Sequence, residues 1–248
     1  MRVINFELPD NWLALDDAQL RYVFQLLASE YSETELKTLF LWKYGNIKVL
    51  WHEGHSFICK RKVGNAEPFV VSSLQITECL SHLNWLIGIP AYPVRISAIG
   101  KAKAVAPDLQ GVPFAVYLYL DNLFQGYLHT KKDDLLVQMA ELLYEAPHIV
   151  LSPAERTGVF YWFASVKRLF ARSFPHFFQP LEVENEMGQS FDIGKQLQDS
   201  MNAQIRALTG GDITKEKAVL DMDCWRALTE LNAKARDYEE LKKSSKSL

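Results

Sequence analysis

The sequence contains only three cysteines, Cys59, Cys79 and Cys224, and they lie far apart along the chain. An odd number of cysteines without a CxxC pair argues against a disulfide framework and against a zinc site built on cysteine thiolates. Because reduced cysteines are typical of cytosolic proteins, we expect a cytoplasmic location.

Long apolar runs are also missing. The most apolar helix-length windows are residues 112–128 and 159–170, and polar or charged side chains interrupt both. Neither window reaches the roughly 20 apolar residues that span a bilayer. Residues 1–8 lack the apolar core of a signal peptide. We therefore expect a soluble protein without a membrane segment.

Neither sign of charge is in excess. The chain carries 27 Lys and Arg against 30 Asp and Glu, a net charge of -3. A protein that wraps nucleic acid by charge alone is strongly basic, so this balance disfavours that class. Aromatic residues are plentiful instead, at 12% of the 248 residues. A chain of this length can bury a hydrophobic core without disulfides or metals.

Recognisable catalytic motifs are absent. The sequence has neither the Gly-x-Ser-x-Gly nucleophile elbow nor the Gly-x-Gly-x-x-Gly dinucleotide fingerprint. The Gly210-Gly211 pair lacks the spacing of a P-loop. The two glycines are better explained as the end of one helix, after which Asp212 or Thr214 caps the next.

Paired carboxylates occur at Asp133-Asp134 and at Asp221 and Asp223. Both pairs lie at predicted helix starts, where acidic side chains interact favourably with the helix dipole. Either Asp221 or Asp223 can cap the helix that contains Trp225. We therefore predict a protein that is not an enzyme, with no catalytic residue and no cofactor.

His52, His55 and Cys59 invite a metal-site interpretation, which geometry disfavours. If Glu53-Gly54 is a two-residue turn, the two histidines are cross-strand neighbours about 5 Å apart. Cys59 then lies roughly 13 Å further along its strand. Zinc bonds are only about 2.0–2.3 Å long, so the three side chains cannot share a metal. We predict a surface hairpin and no metal site.

Four capping boxes mark helix starts, because a polar first residue precedes Glu or Gln by three positions. They are Asp16 with Gln19, Ser32 with Glu35, Ser72 with Gln75, and Ser152 with Glu155. With the 3.6-residue spacing of apolar side chains, they predict helices over residues 17–29, 33–44, 74–87, 113–128, 132–144, 153–173, 193–208 and 223–243. Strand patterns occur at 3–8, 47–51, 56–61, 69–71 and 94–99.

These elements predict a mainly α, α+β fold: a helical bundle with a small antiparallel sheet, including a hairpin, in the first hundred residues. The polar, acidic stretch 179–192 lacks helical periodicity. We expect a main domain over 1–178, a linker or long loop over 179–192, a C-terminal helical section over 193–241 and a disordered tail over 242–248.

The densest aromatic segment is residues 159–180, and it has three interpretations. A helix that is apolar on all sides can be internal core or can face a partner protein, whose interfaces are enriched in aromatic residues. With two aromatic residues of the last predicted helix, the candidate partner surface comprises Trp162, Phe163, Phe170, Phe174, Phe177, Phe178, Trp225 and Tyr238.

The third interpretation is a nucleic-acid surface, in which bases stack on aromatic rings and basic side chains bind phosphates. The candidate phosphate contacts are Lys167, Arg168 and Arg172. This alternative makes the chain a nucleic-acid-binding or regulatory protein, and the balanced net charge disfavours it.

Three stretches resemble an uncharacterised family of prophage and mobile-element proteins from gut anaerobes. They read INFELPDNW…LRYVFQLL, YLDNLFQGYL…LLVQMAELLY and NAQIRALTGGDITKEKAVLDMDCWRALTELNAKARDYEEL, the last being the most specific. Such proteins loosely resemble phage tail assembly chaperones, small helical proteins that hold a hydrophobic tape-measure protein. The resemblance implies a protein partner or self-association, and no catalytic residue.

Overall fold

The computed structural model describes residues 8–62, 67–178 and 193–246. Its helices are α1 (Asp17–Leu27), α2 (Glu33–Tyr44), α3 (Ser73–Ser81), α4 (Phe114–Thr130), α5 (Asp133–Leu143), α6 (Pro153–Ser173), α7 (Ile193–Thr209), α8 (Glu216–Leu220) and α9 (Cys224–Lys246). Its strands are β1 (Ile47–Glu53), β2 (Ser56–Arg61), β3 (Phe69–Ser72), β4 (Ala98–Ile99) and β5 (Ala102–Lys103). The predicted α+β class, mainly helical with a small antiparallel sheet, is confirmed.

The helices begin where the capping boxes predict. In each of α1, α2 and α3 the polar side chain of the N-cap residue accepts a hydrogen bond from the backbone amide of the residue three positions later. The side chain of that later residue accepts one from the backbone amide of the N-cap residue in return. Ser152 and Glu155 make the same reciprocal pair before α6, at 3.3 and 2.9 Å. Each box satisfies two of the amides that a helix start leaves without partners.

β1, β2 and β3 form one antiparallel sheet in that order. Glu53 lies opposite Ser56, so the two-residue turn is Gly54-His55 and not the predicted Glu53-Gly54. Gly54 has φ +55°, and glycine is preferred at the first central position of such a turn. His52 consequently lies opposite Phe57 rather than His55.

Several boundaries differ from the predicted ones. α3 ends at Ser81, and a short 3₁₀ turn, Asn84–Leu86, follows it. Within 94–99 only Ala98–Ile99 is a strand, paired with Ala102–Lys103. The first predicted strand falls almost wholly on residues 1–7, outside the described residues. The same holds for the predicted linker 179–192.

The last helix extends beyond its predicted end at residue 243. α9 continues to Lys246, so residues 242–246 of the expected disordered tail are helical. The Ser244 hydroxyl donates to the Glu240 carbonyl and the Ser245 hydroxyl to the Lys242 carbonyl. These serines bond to the preceding turn of the helix and do not interrupt it.

The chain divides into two compact units at places other than the predicted boundaries. The first comprises Met1–Pro90 with Ser152–Gly158, and the second comprises Ala91–Leu151 with Val159–Leu248. Both units are discontinuous in sequence, because the first turns of α6 belong to one and the rest to the other. A composition shift at 179–192 does not reveal such a division, which depends on long-range contacts.

The first unit packs an aromatic and aliphatic core. Trp12 stacks on Phe24 at 5.9 Å between ring centroids and meets Trp85 edge-on at 5.8 Å. Its indole N–H donates to the Trp85 carbonyl at 2.7 Å. Phe40 is fully buried beneath the same Trp85 ring. Together these contacts join the N-terminal 3₁₀ turn, α1 and α2.

Arg21 and Glu155 join two distant parts of the first unit by an ion pair of 2.5 Å. Burial alone raises the pKa of Glu155, but hydrogen bonds from Ser152 and Arg21 outweigh it, and the net pKa lies below the ordinary value. A carboxylate with a lowered folded-state pKa stabilises the fold at any pH above its unfolded pKa. That contribution disappears as the pH falls through the folded-state pKa.

We therefore expect acid to destabilise the wild type more than the Glu155→Gln variant between pH 6 and pH 3. Gln keeps the capping box but does not titrate. The free energy of unfolding, measured by urea denaturation across this pH range, checks the difference. Parallel pH profiles for the two proteins would contradict the assignment.

Candidate functional site

The aromatic segment of α6 forms the core of the second unit. Trp162, Phe163, Phe170 and Phe174 are 0–5% exposed. The Trp162 indole N–H donates to the Pro107 carbonyl at 2.7 Å, which satisfies the one polar atom that burial of the ring would otherwise leave unpaired. These four members of the candidate partner surface are therefore core residues, because neighbouring helices already cover them.

Two helices supply the rings that cover α6. From α4, Phe124 packs against Phe163 at 5.2 Å between centroids, and Tyr117 meets Phe170 edge-on at 5.4 Å. From α9, Trp225 meets both Phe170 and Phe174 edge-on, at 5.3 and 5.4 Å. Edge-on rings at these distances add stabilisation beyond the area they bury.

The start of α9 is fixed to the start of α4. The Phe114 amide donates to the Met222 carbonyl at 2.7 Å, and the Cys224 amide donates to the Val112 carbonyl at 2.9 Å. Asp223 caps α9 by accepting from the Trp225 and Arg226 amides. This places the half-buried Trp225 ring against α6, and its indole N–H donates to the Asp108 carbonyl.

Phe177 and Phe178 follow the end of α6 and are half-buried. Asn232 of α9 accepts from the His176 and Phe177 amides at 2.9 and 3.2 Å. His176 also lies 3.2 Å from a Glu239 carboxylate oxygen. α9 therefore holds this turn through polar contacts, and the two phenylalanine rings are only partly available to a partner.

The candidate phosphate contacts are largely engaged within the chain. Lys167 forms a 2.7 Å ion pair with Asp121, and its ammonium lies 5.1 Å from the Phe178 ring centroid. Arg172 donates to the Ala91 carbonyl and lies over the Tyr92 ring. Arg168 is exposed on the same helix. The internal partners of Lys167 and Arg172 disfavour a phosphate-binding role for this segment.

Burial raises the pKa of Tyr117 well above its ordinary value, and the nearby Asp121 carboxylate raises it further. Desolvation likewise raises the pKa of Cys224 to about 12, with smaller contributions from Asp223 and Asp108. A thiol with so high a pKa stays protonated at neutral pH and is a poor nucleophile. These shifts favour a structural role for both groups.

The C-terminal half of α9 carries the exposed member of the candidate surface. Leu228 and Leu231 are buried, whereas Tyr238, two turns after Leu231 on the same side of the helix, is 68% exposed. Leu241, one turn further, is 70% exposed. The apolar stripe of α9 therefore continues beyond the part that packs against the second unit. The candidate surface predicted from the sequence contains Tyr238 but not Leu241, which follows it at the helical spacing of three residues.

Metal-ligating groups do not converge in the described part of the chain. Residues 8–62, 67–178 and 193–246 contain no cluster of three or more His, Cys, Asp or Glu placed to hold a metal ion. Over the same ranges, no helix combines the length and apolarity needed to cross a membrane.

Comparison with known proteins adds no relative. No protein-family model, no curated protein and no solved structure matches this chain.

Proposed function

We propose that this protein is a non-enzymatic interaction protein that binds another protein through the C-terminal half of α9. The observation that carries the proposal is the exposed continuation of the α9 apolar stripe, Tyr238 and Leu241, beyond its buried part. Apolar side chains one turn apart on one side of a helix are usual anchors of helix-mediated recognition.

The charges beside the stripe favour a helical partner. Arg236, Asp237, Glu240, Lys242 and Lys243 are all exposed on the same stretch of α9. Mixed charges flanking an apolar seam are typical of helix–helix pairing, where they set partner choice and orientation. The proposed occupant is thus an amphipathic helix of another protein.

The proposed biological setting is phage assembly. It rests on the sequence resemblance to prophage proteins, and in its finer form the partner is a tape-measure-like tail protein, with this chain as a tail assembly chaperone. Tape-measure-like proteins are long and hydrophobic, so they offer apolar segments of the kind that the exposed stripe would cover. Capture from phage-producing cells tests both the partner class and the setting.

We expect the Tyr238→Asp/Leu241→Asp variant to lose the partner, since two carboxylates in the seam would be desolvated without partners. Wild-type and variant full-length chains serve as bait in lysates of phage-producing cells, and co-purifying chains are quantified by mass spectrometry. We expect at least about tenfold lower recovery with the variant.

The matched control is Val150→Asp/Ile213→Asp, which makes the same two changes at positions of the second unit that are 86% and 82% exposed. It should retain the partner, and circular dichroism should show equal helix content in all three proteins. Equal recovery by all three baits, or no reproducible partner for the wild type, would overturn the proposal.

A further inference from the structure

The three-stranded sheet has an outer face whose composition follows from its register. Cys59 is buried, and side chains alternate along a strand, so its neighbour Ile58 points to the opposite side. Ile58 pairs with Trp51 of β1 and with Val70 of β3. Trp51, Ile58 and Val70 therefore form one row across all three strands, here called the apolar row.

The apolar row is exposed to an unusual degree. Trp51 is 56% exposed and Val70 is 61% exposed, while Ile58 between them is half-buried. Tryptophan is highly buried on average in soluble proteins. Single exposed apolar side chains are normal on a protein surface, but here three of them are contiguous across the sheet, which makes this face a candidate interaction surface.

Charged rows border the apolar row on either side. On one side Lys48 lies opposite Lys60, and on the other side Glu53 lies opposite Ser56. A β-bulge between Val49 and Trp51 keeps Lys48, Trp51 and Glu53 on the same face of β1. The face is thus basic at one end, apolar in the middle and acidic at the other.

Lys48 and Glu53 lie too far apart to pair within one chain. They are two rows apart on the same strand, about 13 Å at the spacing of an extended chain. Neither makes an ion pair among the residues that the structure describes. Both charges are exposed and available to a partner.

We propose that the outer face of this sheet binds a second copy of the chain, with a twofold axis running along the apolar row. Rotation about this axis reverses the strand direction and places each strand opposite the same strand of the second copy. It places Trp51 over Trp51 of the second copy, and Lys48 over Glu53 of the second copy, twice by symmetry. The surface differs from the one in the proposed function, so the two proposals stand or fall separately.

Charge complementarity selects this arrangement over the other twofold packing of the same face. An axis parallel to the strands keeps the strand direction, and the basic row of one copy then faces the basic row of the other. Like charges in direct opposition are unfavourable. Only the axis along the apolar row stacks the apolar side chains and also pairs opposite charges.

The area of the face predicts a weak dimer. Three strands about 4.8 Å apart and three rows about 7 Å apart cover roughly 300 Å² per copy. A standard stable interface buries about 800 Å² per partner. We therefore expect a dissociation constant in the micromolar to millimolar range.

Charge exchange tests the proposed axis. The single variants Lys48→Glu and Glu53→Lys each oppose like charges twice, and we expect each to weaken the dimer about tenfold. The double variant Lys48→Glu/Glu53→Lys restores both pairs and should return to the wild-type constant. Sedimentation equilibrium of the full chain up to about 1 mM, at low salt, measures the dissociation constants of the wild type, the two single variants and the double variant.

Two further variants control the experiment. Lys101→Glu makes the same charge change at an exposed position of the second unit and should leave the dissociation constant unchanged. Trp51→Lys should give a monomer over the same concentration range, because it removes the largest apolar contact and adds charge in the centre.

A monomeric wild type, a double variant as weak as the single ones, or a Trp51→Lys protein that still dimerises would each overturn the proposal. The Tyr238→Asp/Leu241→Asp protein should dimerise like the wild type. Loss of its helical partner therefore stays distinguishable from loss of self-association.

Discussion

Replacing Phe170 with alanine should lower the free energy of unfolding by about 3–5 kcal/mol. Phe170 is fully buried, and its ring meets those of Tyr117, Phe174 and Trp225 at 5.3–5.8 Å. It is thus the common contact of α4, α6 and α9. Removing it leaves a cavity that three helices would have to collapse to fill, and a loss of this size is a large fraction of typical domain stability.

Tyr238→Ala is the matched control, because both residues belong to the aromatic surface that the sequence predicts. Tyr238 is exposed, so its loss should change the free energy of unfolding by no more than about 0.5 kcal/mol. Urea denaturation, followed by tryptophan fluorescence, compares the two. Similar small effects at both positions would mean that Phe170 is not part of the core.

The Asp223→Ala variant should lose about 2.5–5 kcal/mol of stability. One carboxylate oxygen of Asp223 accepts from the Trp225 and Arg226 amides, and the other accepts from the Gly111 amide at 2.7 Å. Loss of a helix cap costs about 1–2 kcal/mol, and a hydrogen bond to a charged group is worth about 1.5–3 kcal/mol. The same denaturation experiment measures the loss.

Asp221→Ala provides the comparison, since the sequence alone allows either aspartate to cap α9. In the structure Asp221 pairs with the exposed Lys217, and solvent-exposed ion pairs of this kind contribute little to stability. Asp223→Asn should fall between the two alanine variants, because asparagine also caps well. Equal losses at positions 221 and 223 would refute the assignment of the cap.

Local structure is predictable here where neighbouring residues determine it. The capping boxes at Ser32 and Ser152 give the first residues of α2 and α6 correctly, because each box is complete within four positions. The hairpin is predictable in kind but not in register. A turn at Glu53-Gly54 would place Trp51 opposite Ser56, so the apolar row becomes visible only with the structural register.

Features that depend on distant residues are not predictable in this way. The four consecutive aromatic residues 160–163 occupy all sides of a helix, and such a pattern does not distinguish core from interface. Whether these rings are core or interface depends on α4 and α9, which cover Phe163 and Phe170. The division into two units likewise depends on contacts between residues more than a hundred positions apart, such as Arg21 with Glu155.

The sharing of α6 between the two units has a consequence for synthesis on the ribosome. The first unit includes Ser152–Gly158, so it cannot be complete when residue 90 leaves the exit tunnel. Its N-terminal residues must wait until the whole of α4 and α5 in the second unit has been synthesised. Closure of so long a loop is slow, and nascent chains in this state lack contacts of the complete unit such as that of Arg21 with Glu155, which leaves part of the unit unpacked. Expression of residues 1–90 alone would make that transient state permanent.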